Sequence, residues 1–125
     1  MIETAEGMAN LDAIAATPGL DGIYVGPADL TLSLTQGRLA PGFDREEPEM
    51  IAALKTILDT CKKNGIRAAL HCGTPDYAVK AIGWGFDMTT VGGDSRFLAA
   101  AAGAAVAGFR KLTDGAASKT EKGTY

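Results

Sequence analysis

Two carboxylates, Glu3 and Asp29, are the residues of this chain whose types and spacing point most clearly to chemistry. Asp29 lies just beyond the apolar run 22–25 and its Gly-Pro turn, a pattern typical of a buried parallel strand that ends in a functional loop. Glu3 follows the apolar stub Met1-Ile2, and about 26 positions separate the two acids, close to one strand-helix-strand unit. The acids are therefore predicted side by side at one rim of a sheet. Because neighbouring like charges repel, the pair has a reason to bind a cation.

Length and charge limit what the chain can be. At 125 residues it is long enough for one domain, because a chain of this size buries about two-thirds of the surface that it exposes when unfolded. Its net charge is -3, with 12 basic and 15 acidic residues spread along the chain, which gives no electrostatic footprint for nucleic acid. The most apolar stretch, 98–109, is too short to span a bilayer, and nothing at the amino terminus resembles a signal sequence. We therefore expect neither a nucleic-acid partner nor a membrane.

The two cysteines, Cys61 and Cys72, indicate the compartment rather than the chemistry. They have neither the spacing of a zinc site nor the density of a disulfide-stapled secreted domain. The expected location is the reducing cytoplasm. Cys61 lies on the apolar face of a predicted helix and Cys72 follows a predicted strand, so neither thiol is expected to act as a nucleophile.

Helix and strand signals alternate along the chain without a break, which predicts an α/β fold with a parallel sheet. Strands are expected at 22–25, 66–71 and 87–91. Helices are expected at 5–16, 48–64, 75–83 and 96–112, with a short helical turn at 30–34 and a surface excursion at 37–47. The residues from Gly115 onward are polar and lack periodicity, so we predict one domain at 1–113 and a polar carboxyl-terminal tail at 114–125.

Four segments of the chain carry a more specific signal. They are Met-Ile-Glu-Thr at 1–4, Asn-Leu-Asp at 10–12, Pro-Gly-Leu-Asp-Gly-Ile-Tyr-Val-Gly-Pro-Ala-Asp-Leu at 18–30 and His-Cys-Gly at 71–73. Together they resemble the carboxyl-terminal half of the HpcH/HpaI aldolase family, the metal-dependent aldolases that act on 2-keto-3-deoxy sugar acids and 4-hydroxy-2-oxo acids. The resemblance extends to about Leu112. It implies that the α/β chain is the second half of a (β/α)8 TIM barrel, from the tip of strand five to the helix after strand eight.

A half-barrel has two open strand edges and an inner face with nothing packed against it, which favours association. We expect a homo-oligomer, a complementary half-barrel chain that supplies the other half, or a chain truncated from a longer product. The resemblance also implies that carboxyl-terminal helices are exchanged between subunits. The Ala- and Gly-rich surface at 99–108 is therefore predicted to be buried between chains.

The resemblance implies a carbon-carbon lyase that releases pyruvate or a similar 2-keto acid and an aldehyde. A divalent cation, Mg²⁺ or Mn²⁺ with Co²⁺ as a further candidate, would stabilise the enolate as a Lewis acid. Glu3 and Asp29 would provide two of about six oxygen ligands. The family's polarising arginine and its proton-transferring histidine-carboxylate pair come from the first half of the barrel. The isolated chain is therefore predicted to have little or no activity.

The resemblance also supplies candidates for substrate binding. They are the loop residues Gly26, Pro27, Ala28 and Asp29, together with His71 at the tip of the next strand. A turn of this kind can direct several backbone N–H groups at the carboxylate of pyruvate, and a glycine lets the substrate approach the backbone closely.

Each site candidate has a structural alternative. Asp29 could cap a helix, Glu3 could be a solvent-exposed acid near a terminus, and His71 could be a structural hydrogen-bonding residue. Two alternatives concern the whole chain: a non-catalytic fragment or assembly module, and a relative of the lyases that act on citryl or malyl thioesters.

Overall fold

A parallel sheet and the helices that cover it form the first part of the chain. The computed structural model describes the backbone of residues 1–120 and the side chains of residues 1–113. The chain divides into two units, the first being Met1–Gly92 and the second beginning at Gly93. In chain order the elements are α1 (Ala5–Ala9), α2 (Leu11–Ala15), β1 (Gly22–Val25), α3 (Pro27–Thr35), α4 (Pro48–Asn64), β2 (Arg67–Leu70), α5 (Pro75–Trp84), β3 (Met88–Thr89) and α6 (Asp94–Thr120).

The sheet has the order β1-β2-β3, and both strand pairs are parallel. Val25 pairs with Leu70, and Leu70 pairs with Thr89. Ile2 forms an isolated parallel bridge with Val25, so the first residues of the chain lie along the free side of β1. The predicted alternation of parallel strands with helices is confirmed.

One face of the sheet belongs to the core. Ile23 and Val25 of β1 and Leu70 of β2 are at most 3% exposed. They pack in one apolar cluster with residues of α4 such as Leu54 and Ile57. The helix α4 therefore covers the sheet on this side, and its burial contributes to the apolar area that the first unit removes from water.

The residues that begin and end the helices act as their types predict. Pro48 occupies the first turn of α4, and Gly65 ends that helix with a φ of +67°, a conformation that glycine adopts at little cost. Thr74 is the N-cap of α5, where its hydroxyl accepts a hydrogen bond from the backbone N–H of Tyr77. These three assignments confirm the sequence-based ones.

Other element bounds differ from the prediction. The expected helix at 5–16 is two short helices that meet at Asn10, whose side chain donates to the carbonyl of Glu6 and competes with a continuous helix. The helix α3 begins at Pro27 rather than at 30, because proline presets the helical φ at a first position. The last strand keeps only two of the five predicted residues.

The long helix α6 is the second unit within the described residues. It runs from Asp94 to Thr120, whereas the sequence predicts 96–112, because a single glycine followed by alanines does not stop a helix. Residues 121–125 of the predicted tail lie outside the described residues, and the predicted division at 113 stays a prediction. Across residues 1–120, no helix has both the length and the hydropathy that a membrane crossing requires.

Candidate metal and substrate site

Glu3 and Gly26 are neighbours at the carboxyl rim of the sheet. The backbone N–H of Gly26 donates to the carbonyl of Ile2 at 3.1 Å, which continues the bridge beyond Val25 by one residue. A Cβ atom at position 26 would lie 2.8 Å from Oε2 and 3.3 Å from Cβ of Glu3. The Glu3 carboxylate therefore lies against the glycine, in space that is open only because this residue has no side chain.

Asp29 lies on the turn that follows Gly26. It is the third residue of α3, and the N-cap of that helix is Gly26, so the alternative role of Asp29 as an N-cap is wrong. Its exposed carboxylate belongs to the first helical turn, where the helix dipole favours negative charge. The structure thus brings Glu3 against Gly26 and Asp29 into the turn that this glycine begins.

The donor set at this rim fits a hard divalent cation. Neither Glu3 nor Asp29 forms an ion pair with another described side chain. Carboxylate oxygens are the ligands that Mg²⁺ and Mn²⁺ prefer. No group of three or more His, Cys, Asp and Glu side chains that could hold a metal occurs among the described residues. These two carboxylates would therefore leave about four positions to substrate and water.

The backbone amides of the rim are not all available to a substrate. The amide of Gly26 is used in the sheet by its bond to Ile2, and Pro27 has no N–H. Ala28 and Asp29 occupy the first turn of α3, whose N–H groups have no intrahelical acceptor. Two of the four predicted loop residues, Ala28 and Asp29, therefore have backbone N–H groups that can donate to an anionic ligand.

His71 lies beside Gly26 on the next strand. Its backbone N–H donates to Val25 O at 3.2 Å, which extends the pairing of β1 with β2 by one residue. Glu3, Gly26 and His71 thus form one row across adjacent strands, spaced by about 4.8 Å. The His71 side chain is half-buried, and its Nδ1 lies 2.6 Å from the hydroxyl of Tyr24. His71 is both a hydrogen-bonding residue within the fold and a neighbour of the candidate site.

The loop at 37–47 covers the far side of His71. The ring of Phe43 packs against the His71 ring at a centroid distance of 4.5 Å. The loop is held by the carboxylate of Asp44, which accepts hydrogen bonds from the backbone N–H of Gly73 at 2.7 Å and from the hydroxyl of Thr74 at 2.8 Å. The excursion predicted near the rim is therefore anchored to the turn after β2.

Burial changes the acidity of three groups around this loop. It raises the pKa of the Tyr77 hydroxyl, which donates to the carbonyl of Arg45. Burial and the nearby charge of Asp44 raise the pKa of the Cys72 thiol to about 11. Burial also raises the pKa of Tyr24, while the Thr90 hydroxyl acts in the opposite direction. Cys72 is therefore a thiol at neutral pH, consistent with the expectation that it is no nucleophile.

Sequence reasoning missed Tyr24, Phe43 and Asp44 as residues of the rim. One sequence signal could have identified Tyr24. Side chains alternate between the two faces of a strand, so if Ile23 and Val25 face the core, Tyr24 must face the opposite side. No local signal identifies Phe43 or Asp44, since their partners lie about 30 positions away in the chain.

Comparisons with known proteins show which family this chain resembles. Residues 1–101 match the HpcH/HpaI aldolase/citrate lyase family. A hydroxypyruvate/pyruvate aldolase of Rhizorhabdus wittichii is 38% identical over 112 residues, which cover 90% of this chain and 43% of the relative. A 5-keto-4-deoxy-D-glucarate aldolase of Klebsiella pneumoniae is 36% identical over 93 residues, or 74% of this chain and 34% of the relative.

Solved structures show the same fold. An HpcH/HpaI aldolase/citrate lyase family protein from Burkholderia cenocepacia superposes with a TM-score of 0.74 at 33% identity, over 87% of this chain and 40% of that one. The citrate synthase SbnG superposes with a TM-score of 0.74 at 25% identity, over 91% and 44% of the two chains. The α/β architecture is therefore that of the TIM-barrel aldolases, and this chain spans less than half the length of its relatives. The chain belongs to the HpcH/HpaI aldolase/citrate lyase family.

Proposed function

We propose that this chain carries the metal and 2-keto acid half of a carbon-carbon lyase. The reaction would cleave a 4-hydroxy-2-oxo acid or a 2-keto-3-deoxy sugar acid into pyruvate, or a similar product, and an aldehyde. The observation that carries the proposal is the Glu3 carboxylate against Gly26, next to the turn that holds Asp29. The names of the aldolase relatives from Rhizorhabdus wittichii and Klebsiella pneumoniae support the same class of substrate.

Each rim residue has one task in this proposal. Glu3 and Asp29 hold a divalent cation, Mg²⁺ or Mn²⁺ with Co²⁺ as a third candidate. When bound, such a cation supplies Lewis-acid polarisation of the substrate's keto oxygen. The backbone N–H groups of Ala28 and Asp29 bind the substrate's carboxylate, and the dipole of α3 adds to that attraction. Gly26 leaves the space that the Glu3 carboxylate occupies beside the turn.

The arginines of the first unit are not available to polarise the keto oxygen. All three arginines of the first unit are engaged elsewhere: Arg38 with Glu49, Arg45 with Glu47 and Arg67 with Asp87. We therefore propose that the remaining strands of the barrel, in another polypeptide or in a longer form of this one, supply the arginine and the base. The isolated chain binds metal and keto acid but turns over little substrate.

An assembly module is the second candidate function, and α6 is the observation that favours it. Apolar side chains along this helix are largely exposed, among them Phe97, Leu98, Phe109 and Leu112 at 56%, 72%, 67% and 77%. Helices with such surfaces are usually covered in an oligomer. Retro-aldol release of pyruvate by an assembled form would exclude a purely structural role.

The cation site can be tested by titrating the chain with Mn²⁺ in the presence of pyruvate. We expect Glu3→Gln and Asp29→Asn each to weaken Mn²⁺ binding by at least about tenfold, because each removes a charged ligand. Gly26→Ala should weaken it similarly, since the new methyl group displaces the Glu3 carboxylate while leaving both acids in place.

Gly83→Ala is the matched control for Gly26→Ala. Gly83 lies in α5 with nothing within 4 Å of an added Cβ, so the substitution should leave Mn²⁺ binding unchanged. Wild-type affinity in the Glu3→Gln and Gly26→Ala variants would show that the cation, if bound, lies elsewhere.

A further inference from the structure

Tyr24 and His71 form a side-chain pair that the proposed chemistry does not use. Both project from the face of the sheet opposite the core, because Ile23, Val25 and Leu70 project into the core. The two rings meet edge to face at a centroid distance of 6.2 Å, and the Tyr24 hydroxyl reaches His71 Nδ1 at 2.6 Å. On its other side the His71 ring packs against Phe43, which limits its rotation.

The surrounding hydrogen bonds show that the Thr90 proton is used elsewhere. Thr90, the other hydroxyl near Tyr24, already donates to the carbonyl of Cys72 at 2.9 Å and accepts from the backbone N–H of Cys72 at 2.8 Å. The Tyr24 hydroxyl is then the available donor in its hydrogen bond with His71 Nδ1, a direction that requires the His71 tautomer with an unprotonated Nδ1. Because burial raises the pKa of the Tyr24 hydroxyl, this donor keeps its proton at neutral pH.

A neutral imidazole that accepts at Nδ1 carries its own proton on Nε2. We propose that Tyr24 holds His71 in this tautomer, so that Nε2–H is a hydrogen-bond donor to the aldehyde-derived portion of the substrate, a hydroxyl or carbonyl oxygen. Tyr24 is then a positioning residue and His71 a substrate-binding residue. This inference rests on the proposed function, because it needs a keto acid bound above Gly26.

The row of residues explains why the contact falls on the aldehyde side. In the proposed function, the turn that begins at Gly26 would bind the carboxylate of the keto acid, and Glu3 and Asp29 would hold the cation that polarises its keto oxygen. His71 lies one strand, about 4.8 Å, beyond Gly26 on the side away from Glu3. The scissile bond of a 4-hydroxy-2-oxo acid is formed by the methyl-derived carbon of pyruvate, and the proposal directs the part of the substrate beyond that carbon toward His71.

The tautomer can be measured directly because His71 is the only histidine of the chain. A long-range ¹⁵N–¹H correlation spectrum at pH 8.5, where a free imidazole is neutral, should show one Nε2-protonated form in the wild type. Tyr24→Phe should move both nitrogen shifts toward the average of two exchanging tautomers. An Nδ1-protonated wild type would overturn the inference, and this measurement does not depend on any variant folding.

Ligand binding tests the substrate contact of His71 separately from the proposed function. In the presence of Mg²⁺, His71→Leu should weaken binding of 4-hydroxy-2-oxopentanoate about tenfold, and Tyr24→Phe about threefold, while pyruvate binding changes less than twofold. His71→Gln retains an N–H donor and should recover part of the lost affinity. This selective loss and rescue are what a purely structural role for the pair would not produce.

The remaining outcomes each contradict one claim or both. If the wild type binds pyruvate with Mg²⁺, but the variants bind 4-hydroxy-2-oxopentanoate as it does, the His71 contact is wrong and the proposed function stands. If the wild type does not bind pyruvate with Mg²⁺, the proposed function fails and the substrate contact fails with it.

Discussion

The two faces of the sheet differ in how far the chain's own residues bury their side chains. On the core face, Val25 and Leu70 are fully buried against the chain's own helices. On the opposite face the side chains are small, polar or exposed: Ala69 is half-buried, and Met88 keeps 54% of its surface exposed. A cavity of about 520 Å³ lies along the sheet, lined by residues of all three strands and by Asp21 and Asp87, which precede two of them.

The difference separates stability from function. The core face carries the apolar area that folds the first unit, whereas the open face carries the residues that we assign to the substrate. Substitutions on the two faces should therefore have different consequences, and the following predictions are ordered by their expected effect on stability.

The largest contrast is between Leu70→Ala and Met88→Ala. Leu70 has no exposed surface, so its truncation leaves a cavity and should cost about 3 kcal/mol of unfolding free energy. Met88→Ala removes a largely exposed side chain from the open face of the same sheet and should cost less than about 0.5 kcal/mol. Urea denaturation followed by circular dichroism measures both, and equal losses would contradict the distinction between the faces.

An intermediate effect is expected from Asp44→Ala. The substitution leaves the backbone N–H of Gly73 and the hydroxyl of Thr74 without their acceptor, which should cost about 1–2 kcal/mol. The matched control is Glu46→Ala in the same loop, which removes only an exposed ion pair with Lys80 and should cost about 0.5 kcal/mol or less. Thermal unfolding of the two variants compares them, and the prediction fails if Glu46→Ala is the more damaging.

The smallest expected effect is the change in unfolding free energy that the Cys72 thiol causes at alkaline pH. The folded state raises the pKa of Cys72 from 9.0 to about 11, so it favours the protonated thiol. The corresponding stability is fully present below pH 9 and is lost as the pH rises toward 11. Between pH 8 and pH 10 the unfolding free energy should fall by about 1 kcal/mol more in the wild type than in Cys72→Ala. Parallel pH profiles of the two proteins would argue against this linkage.

Local features of the fold could be predicted from the sequence. The sequence predicts the strand Gly22–Val25 at its observed bounds, because three apolar residues lie between a glycine and a Gly-Pro turn. The helix α4 was predicted because Pro48, an apolar face and Gly65 mark its start, its buried side and its end. Such signals depend on neighbours in the sequence, which a single chain displays.

Features that depend on distant residues could not be predicted. The pairing of Tyr24 with His71 requires the register of β1 and β2 and spans 47 positions. The anchoring of the loop by Asp44 depends on the position of the turn at Gly73, which packing decides. The candidate site combines predictable and unpredictable features. The family resemblance indicates Glu3 and Asp29 from the sequence, whereas only the fold shows that Glu3 occupies the space left by Gly26.

The way in which Glu3 is held to the sheet has a thermodynamic consequence. Two backbone hydrogen bonds of Ile2 join this segment to β1, one to Tyr24 at 2.9 Å and one from Gly26 at 3.1 Å. If these two hydrogen bonds broke, the Glu3 carboxylate would move away from the rim. A ligand that binds Glu3 must therefore also stabilise the paired state of this segment. Amide hydrogen exchange at Ile2 and Gly26 would then slow as the site fills, and occupancy at the rim could be followed through the protection of two backbone protons.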